Sequence, residues 1–262
     1  MPSSALHVAR TGLEAQDARM RVTANNLANI GTTGFKRDRA NFATLAYQAA
    51  RVAGQQSSVN TEYAEGINLG TGVQVQSTSR IVTQGTLNST GNSLDLALDG
   101  DGYFQVEMPD GQMGYTRAGN FTRSAEGMIV TSQGYPVQPQ INIPEGATSI
   151  TISQDGTVSA MVAGDAAPVE LGQLTIANFA NAGGLQPLSG NYLQETAGSG
   201  PVMLGIAGEE GRGNVQQGML EGSNVNVVQE LVDMIETQRA YEINSKMISS
   251  VDEMLRNANQ TL

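Results

Sequence analysis

The chain of 262 residues contains no cysteine, no tryptophan and a single histidine, His7. These absences exclude a disulfide framework, a cysteine nucleophile and a zinc site built on cysteine. A Ser-His-Asp triad would have to use His7, which lies in a segment of helical pattern beside Leu6, and we reject it. Glycine-rich tracts such as residues 205–213 lack the Lys-Ser/Thr pair of a phosphate-binding loop. The sequence therefore predicts neither an enzyme nor a bound cofactor.

Long hydrophobic runs are also missing. No stretch approaches the roughly 18 continuous apolar residues that indicate a transmembrane helix. Arg10, Glu14 and Asp17 interrupt the N-terminal segment, which lacks the apolar core of a signal peptide. We therefore expect no membrane insertion and no cleaved leader, so that secretion would need a route without one.

Basic residues are scarce, since 14 Lys and Arg face 25 Asp and Glu, for a net charge of −11. Residues 1–40 hold six basic and three acidic residues, or +3, which leaves −11 − 3 = −14 for the remainder. An acidic body disfavours nucleic acid and anionic membranes as partners. The charges of the basic segment alternate in sign on a helical pattern, which favours a helix over a nucleic-acid-binding tail.

Two acidic patterns resemble metal sites only superficially. Residues 99–102, Asp-Gly-Asp-Gly, lack the closing Glu of a calcium loop and are typical of a β-turn. Glu230, Asp233 and Glu236 recur at helical spacing, and we interpret them as a solvated acidic face, because no second ligand cluster accompanies them. No metal site is predicted.

Glycine divides the chain into three zones. Of 31 glycines, only Gly12, Gly31 and Gly34 precede residue 54, and none follows Gly222. Because glycine is unfavourable in helices and common in turns, helical ends should flank a turn-rich β middle. The predicted fold class is α+β, with a central all-β domain resembling a barrel or sandwich.

A seven-residue repeat runs through the N-terminal zone. It predicts a helix from a cap at Ser3 or Ser4 to a stop at Gly31. The first line of the repeat is apolar and contains Leu6, Leu13, Met20 and Leu27. A second line, three residues further on, is mixed and contains Ala9, Gln16, Thr23 and Ile30.

The C-terminal zone repeats this pattern over a longer stretch. Residues 224–257 contain no Gly or Pro, which predicts a helix about 50 Å long. The seven-residue line contains Val227, Met234, Tyr241, Ile248 and Leu255, with Leu231 and Val251 at intermediate positions and Gln238 and Ser245 as polar members. Residues 220–262 carry seven acidic and three basic residues, or −4, opposite in sign to the N-terminal segment.

Two arrangements of these stripes are open. Each could pack as an ordinary amphipathic helix against a globular core. The length of the second helix, and the position of both at the ends of a β-rich middle, favour pairing with each other or with other copies. We predict that the two terminal helices pair as a coiled coil, whose seam contains the apolar residues of both stripes.

The middle alternates short apolar runs with turn signals. Residues 94–98, 103–106, 128–130, 149–153 and 173–179 are predicted strands, and Asp110-Gly111 predicts a hairpin. The predicted segments are an N-terminal helical segment over 1–42, a connecting stretch over 43–66, a β-rich domain over 67–218 and a C-terminal helical segment over 219–262. The connecting stretch is expected to begin as helix, to about Arg51.

Four segments in order resemble the flagellar axial proteins, which include rod, hook and hook-associated proteins. Residues 24–36, ANNLANIGTTGFK, resemble the N-terminal signature of that family. Residues 96–104 and 115–121 resemble its β-domain segments, and residues 223–247 its C-terminal signature. The likeness covers essentially the whole chain. Length and the stretch after Phe42 favour the distal rod members, whereas a proximal rod protein is nearly equal in size and hook proteins are longer.

The resemblance implies a structural subunit of a hollow helical shaft in the flagellar basal body. Its terminal helices would form an inner antiparallel coiled coil, with the signature residues Asn25, Asn26, Asn29, Gly31, Gly34 and Phe35 ending the first helix, either as caps or as lateral contacts. Implied partners are further copies of the chain, proximal rod proteins, hook protein, the outer-membrane and peptidoglycan bushing rings, and the flagellar type III export apparatus. The export signal of the family has only a weak match, at Phe42 and Ala46.

Two other functions compete with a torque-transmitting polymer. A secreted β-rich binding module could use its helical ends only to trimerise. A hydrolase would need an acidic pair that no spacing in the chain indicates.

Overall fold

The computed structural model describes residues 2–58, 61–163 and 167–260. Contacts divide the chain into two compact units, each made of separate segments. The first unit comprises Met1–Ala28, Asp38–Ser79 and Asn226–Leu262, and the second comprises Asn29–Arg37 and Arg80–Val225. The predicted boundaries at 42/43 and 66/67 therefore fall inside the first unit, and the boundary at 218/219 falls inside the second.

Two long helices build the first unit. Helix α1 spans Pro2–Ala28 and ends three residues before the predicted stop at Gly31. Helix α2 spans Val227–Gln260, within three residues of the predicted range at each end. Asn226 caps α2, because its Oδ1 accepts hydrogen bonds from the backbone N–H groups of Val228 (3.0 Å) and Gln229 (3.2 Å). Neither described helix is long and apolar enough to cross a membrane.

The rest of the first unit consists of three antiparallel strand pairs. Its strands are β1 (Asp38–Thr44), β2 (Tyr47–Arg51), β3 (Gln56–Ser58), β4 (Thr61–Glu62), β5 (Ile67–Gly70) and β6 (Val73–Arg80). Strand β1 pairs with β6, β2 with β5, and β3 with β4. The expected helical continuation to Arg51 is therefore wrong. Its Ala- and Gln-rich composition suits a helix, but pairing with a distant strand satisfies the same backbone groups and overrides that weak preference.

The second unit is built from sixteen described strands. They are β7 (Leu87–Ser89), β8 (Leu96–Asp99), β9 (Tyr103–Glu107), β10 (Met113–Thr116), β11 (Thr122–Arg123), β12 (Ile129–Val130), β13 (Val137–Gln138), β14 (Ala147–Ile152), β15 (Thr157–Val162), β16 (Val169–Gln173), β17 (Thr175–Asn178), β18 (Gln186–Pro187), β19 (Leu193–Gln194), β20 (Met203–Ile206), β21 (Asn214–Gln217) and β22 (Met219–Glu221). The predicted β middle is confirmed. Asp110-Gly111 turns the β9–β10 hairpin, with Gly111 at a φ of 78°.

The largest sheet of the second unit has seven strands. Its order is β18-β19-β10-β9-β17-β20, and β13 also pairs with β9. The main apolar core includes Phe104 and Phe121, whose rings meet edge-to-face at 5.1 Å. The fold is thus α+β, as predicted, while the sheets formed by the described strands are open and none of them closes into a barrel.

Candidate assembly surface and chain junction

Helices α1 and α2 contact each other along their length in the first unit and run antiparallel. Asn26, near the end of α1, hydrogen-bonds Glu230 near the start of α2. Arg19 Nη2 lies 3.4 Å from Asp233 Oδ1. Gly12, nearer the start of α1, faces Asn244 on α2. Residue numbers therefore rise along one helix as they fall along the other.

The side chains buried on these helices are mostly small or polar. They are Ala9, Thr11, Ala15, Thr23 and Asn26 on α1, and Glu230, Thr237 and Val251 on α2. Ala9 and Thr23 belong to the mixed second line of the predicted repeat. A seam of small and polar side chains fixes helix register but buries little apolar area, so it contributes modestly to stability.

The large apolar residues predicted for the seam take several positions. Val251 is buried, and Leu6, Leu13, Met20, Leu27, Met234 and Ile248 are half-buried. Ile30 is also half-buried but lies beyond the end of α1. Val227, Leu231 and Tyr241 are exposed. The helical backbone at Leu255 is described, whereas its side chain lies outside the described part of the chain.

Exposed apolar side chains of α2 form a stripe opposite its buried line. At 3.6 residues per turn, positions 230, 237, 244 and 251 fall on one side of the helix, and positions 228, 232, 235 and 243 fall on the other. The residues of this stripe are between 46% and 71% exposed. We name the stripe the α2 apolar face: Val228, Val232, Ile235 and Ile243.

The acidic triplet of α2 is not the solvated face that its spacing predicted. Glu230 is only 1% exposed, because it lies against α1. Asp233 is half-buried and pairs with Arg19, while Glu236 is exposed and lies 3.9 Å from the same Arg19. Across the described ranges, no three acidic or histidine side chains are grouped to hold a metal ion.

Asn26 ties the end of α1 to the start of β1. Its Nδ2 donates to the carbonyl of Asp38 (2.8 Å), and its Oδ1 accepts from the N–H of Asp38 (2.9 Å). The side-chain amide thus pairs with Asp38 as a neighbouring strand would, and Nδ2 also reaches Glu230 Oε2 at 3.2 Å. We name this cluster the Asn26 clasp. It is a buried link within the first unit.

We expect Asn26→Leu to lower the free energy of unfolding by about 2 to 3 kcal/mol, because the near-isosteric side chain leaves the polar groups of Asp38 and Glu230 without these bonds. Ala24→Leu, at a nearby exposed position of α1, should change it by about 0.5 kcal/mol or less. Urea unfolding followed by circular dichroism measures both. Equal losses in the two variants would refute the clasp.

In the second unit, Glu221 and Asn224 connect three passages of the chain, 34–37, 81–86 and 221–224. Glu221 Oε1 accepts from Lys36 Nζ (2.6 Å) and from the N–H of Gly85 (2.9 Å). Asn224 Oδ1 accepts from the N–H of Arg37 (2.7 Å), and its Nδ2 donates to the carbonyl of Ile81 (2.8 Å). We name this cluster the chain junction.

The charges at the junction are deeply buried. Glu221 is 0% exposed, Lys36 4% and Arg117 5%. Arg117 Nε lies 3.3 Å from Glu221 Oε2, within ion-pair distance but outside hydrogen-bond geometry. Burial lowers the pKa of Lys36, and the Glu221 carboxylate opposes that effect. Two buried cations therefore depend on one carboxylate.

The two signature glycines differ in their surroundings. Gly34 is buried at a φ of 67°, and a Cβ there would lie 2.6 Å from the carbonyl carbon of Arg117. Gly31 is exposed, and a Cβ would meet nothing within 4 Å. Phe35 is buried beside them. Among the signature residues, Asn29 accepts a hydrogen bond from the Thr32 hydroxyl (3.0 Å).

Sequence reasoning missed the junction, although Lys36 lies within the quoted signature. Lys36 and Glu221 are 185 residues apart, and no local pattern pairs them. The only sign in the sequence that Lys36 could be buried is its position next to Gly34 and Phe35 in the signature.

Comparisons with known proteins agree with this arrangement of segments. Residues 6–36 match the family model "Flagella basal body rod protein", residues 97–160 the "Flagellar hook protein FlgE/F/G D1 domain", and residues 216–261 the "Flagellar basal body rod FlgEFG protein C-terminal". The flagellar basal-body rod protein FlgG of Buchnera aphidicola subsp. Acyrthosiphon pisum is 50% identical over 255 residues, which cover 97% of this chain and 98% of that protein. The chain belongs to the flagellar basal-body rod protein family.

Other members of the rod protein family extend the comparison. FlgG of Agrobacterium fabrum is 49% identical over 251 residues, covering 95% of this chain and 96% of that protein. The rod protein FlgF of Salmonella typhimurium is 34% identical over 250 residues, covering 92% and 91%. The matched family segments contain most of α1, the whole of α2, and Asn26, Lys36, Arg117 and Glu221.

Proposed function

We propose that this chain is a structural subunit of the distal rod of the bacterial flagellum, polymerising into a hollow helical shaft. The α2 apolar face carries the proposal, together with membership of the rod family. Four large apolar side chains are exposed along one side of α2, while the polar side chains of Glu230 and Thr237 are buried on the other side. Exposed apolar stripes of this extent are typical of surfaces that other chains cover. The covering chains are proposed to be further copies.

The inner part of the shaft would be an antiparallel coiled coil of α1 and α2. The antiparallel contacts and the ion pair of Arg19 with Asp233 support it. The predicted seam residues Leu6, Leu13, Met20, Met234, Ile248 and Val251 would complete its packing, with exposed Val227, Leu231 and Tyr241 contacting neighbouring subunits. The sheets around the common core of the second unit would form a sandwich-like body.

Residues 43–66 are proposed to bridge neighbouring subunits and stiffen the shaft. This stretch exposes large apolar side chains at Tyr47 and Val52, and strand β5, which pairs with β2, exposes Ile67 and Leu69. The remaining proposed partners are proximal rod proteins, hook protein, the bushing rings and the type III export apparatus, with no enzymatic activity.

Torque transmission needs firm connections between the helical and β-rich units. The chain passes between the two units after Ala28, Arg37, Ser79 and Val225. The Asn26 clasp ties together residues beside three of these passages in the first unit, and the chain junction does so in the second. Within each unit, one cluster of hydrogen bonds therefore holds the chain segments that lead to the other unit. A subunit that carries mechanical load requires such fixed segments.

Deleting the gene is expected to abolish hooks and swimming, because the hook needs the completed rod. Changing Val232, Ile235 and Ile243 together to Gln should also abolish swimming and rod formation, yet leave the melting temperature of the isolated chain unchanged. Ser245→Gln with Asp252→Gln, at exposed polar positions of the same helix away from the α2 apolar face, should leave swimming normal. Electron microscopy of basal bodies and soft-agar motility provide the readouts.

A deletion strain that builds hooks and swims would exclude a rod function. Electron microscopy of basal bodies from that strain would distinguish the two rod positions. Loss of a distal rod protein would leave the proximal part of the rod in place, whereas loss of a proximal rod protein would remove that part. A β-rich binding module would instead form a discrete oligomer and keep its ligand after removal of residues 1–30 and 225–262.

A further inference from the structure

Strand β20 forms one edge of the seven-stranded sheet. Among the strands that the structure describes, it pairs only with β17, which leaves its other side open. The opposite edge is β18, which is short and contains Pro187, a residue without an N–H to donate. Strand β20 is longer and exposes the apolar side chains of Met203 and Leu204 at 45% and 47%. Such an edge is a template for pairing with a strand of another molecule unless the fold protects it.

The backbone of β20 faces the open side at Leu204 and Ile206. In an antiparallel ladder, the N–H and C=O of one residue point to the same side of the strand, and successive residues alternate. The carbonyl of Leu204 accepts a hydrogen bond from Arg212 Nη2 (3.3 Å), and the carbonyl of Ile206 accepts one from the N–H of Glu209 (3.4 Å). Both outward carbonyls are therefore already bonded by the loop that follows the strand, residues 207–213.

Arg212 reaches the edge because Gly205 leaves space for it. A Cβ at position 205 would overlap the guanidinium group, which thus occupies the place of a side chain on β20. Left-handed backbone at Glu210 (φ 48°) and Gly211 (φ 78°) turns the loop back toward the strand. Arg212 Nη1 pairs with Glu210 Oε2 (2.9 Å), and the Arg212 side chain is only 7% exposed. A glycine inside a strand is typical of a site that another group approaches closely.

We propose that Arg212 guards this sheet edge and prevents β20 from pairing with a strand of a second copy of the chain. An added strand would need the carbonyl of Leu204 as an acceptor. To reach it, the strand would have to displace a guanidinium that is packed against β20, and so break a charge-assisted hydrogen bond. The inference does not rest on the rod function, since it concerns a surface of the second unit in the free subunit.

Removing the guard should allow the edges of two subunits to pair. The test uses the full-length chain with the triple glutamine change of the α2 apolar face, so that this face does not contribute to association. Arg212→Ala should then form dimers and raise the association constant at least about tenfold, because two paired edges gain the freed Leu204 carbonyls as acceptors. Gly205→Ala should act in the same direction, because its methyl group displaces the guanidinium without removing the charge. Sedimentation velocity measures the association constants.

Arg123→Ala and Gly31→Ala are the matched controls. Arg123 is an exposed arginine on β11, outside the seven-stranded sheet, and a Cβ at Gly31 enters open space. Both should remain as monomeric as the parent chain. Arg212→Ala and Gly205→Ala variants that melt as the parent does without associating more strongly would overturn the proposal, as would an equal rise in the controls. Gly205→Ala adds one methyl group only, so it decides the matter if Arg212→Ala does not fold.

Substitution of Leu204 locates the contact. Leu204→Pro removes the outward N–H, a change that edge strands tolerate, and Leu204→Lys places a charge on the edge. Combined with Arg212→Ala, each should return the chain to the monomer. Dimers that persist in both combinations would show association through another surface and would overturn the assignment of β20. None of these measurements requires a rod, so their failure is distinguishable from failure of the rod function.

Discussion

Glu221→Gln is expected to lower the free energy of unfolding by about 3 to 5 kcal/mol. The substitution keeps the size of the side chain but removes the only buried carboxylate beside two buried cations, Lys36 and Arg117, among the residues that the structure describes. Those cations cannot be resolvated without opening the chain junction, so the penalty is that of uncompensated buried charge. Urea unfolding of the isolated chain, with a fit of the midpoint and slope, measures the loss.

Glu14→Gln is the matched control, because Glu14 also forms an ion pair, with Arg10 at 2.9 Å, but both side chains are exposed, at 61% and 76%. Exposed pairs contribute about 0 to 1 kcal/mol, so this variant should unfold nearly as the wild type does. Lys36→Met in the Glu221→Gln background should recover part of the stability, since it removes one of the stranded cations. Equal stability of the Glu221→Gln and Glu14→Gln variants would show that the buried trio is not an energetic unit.

Gly34→Ala is expected to lower the free energy of unfolding by about 2 to 4 kcal/mol and to abolish swimming. A left-handed backbone already disfavours any side chain at a φ of 67°, and the added Cβ would overlap the backbone of Arg117 and Ala118 at 2.6 to 2.8 Å. The neighbouring backbone must shift, and with it the hydrogen bond from the N–H of Gly34 to the carbonyl of Glu221 (2.8 Å).

Gly31→Ala tests whether the destabilisation expected of Gly34→Ala is specific to position 34. It lies three residues away in the same signature, yet its Cβ would enter open space. Thermal unfolding and soft-agar motility of the two variants should therefore separate clearly. If Gly31→Ala were as damaging as Gly34→Ala, sterics and backbone conformation would not account for the requirement for glycine.

The long elements could be predicted from local rules. Residues 224–257 lack Gly and Pro, and α2 occupies nearly that range. Asp110-Gly111 between alternating segments predicted the β9–β10 hairpin. The error at residues 43–51 has a physical origin, because strand β2 depends on pairing with β5, some twenty residues later.

The candidate sites were less accessible to sequence reasoning. A seven-residue repeat identifies stripes, but it does not say which stripe faces the partner helix and which faces other molecules. Thr237 and Glu230 are polar and were not predicted to be buried, yet they lie on the inner line, while apolar Ile235 and Ile243 lie outside. The junction depends on tertiary contacts between Lys36, Arg117 and Glu221, which no spacing rule links.

The two faces of α2 separate two properties that usually change together. Substitutions on the outward stripe should alter how firmly subunits cohere while leaving the melting of each subunit nearly constant. Substitutions on the inward line should change the melting of each subunit while leaving the cohesion between subunits nearly constant, because few residues of that line reach the surface. Selection, or a designer, could therefore tune the durability of the finished shaft and the ease of unfolding a subunit independently within a single helix.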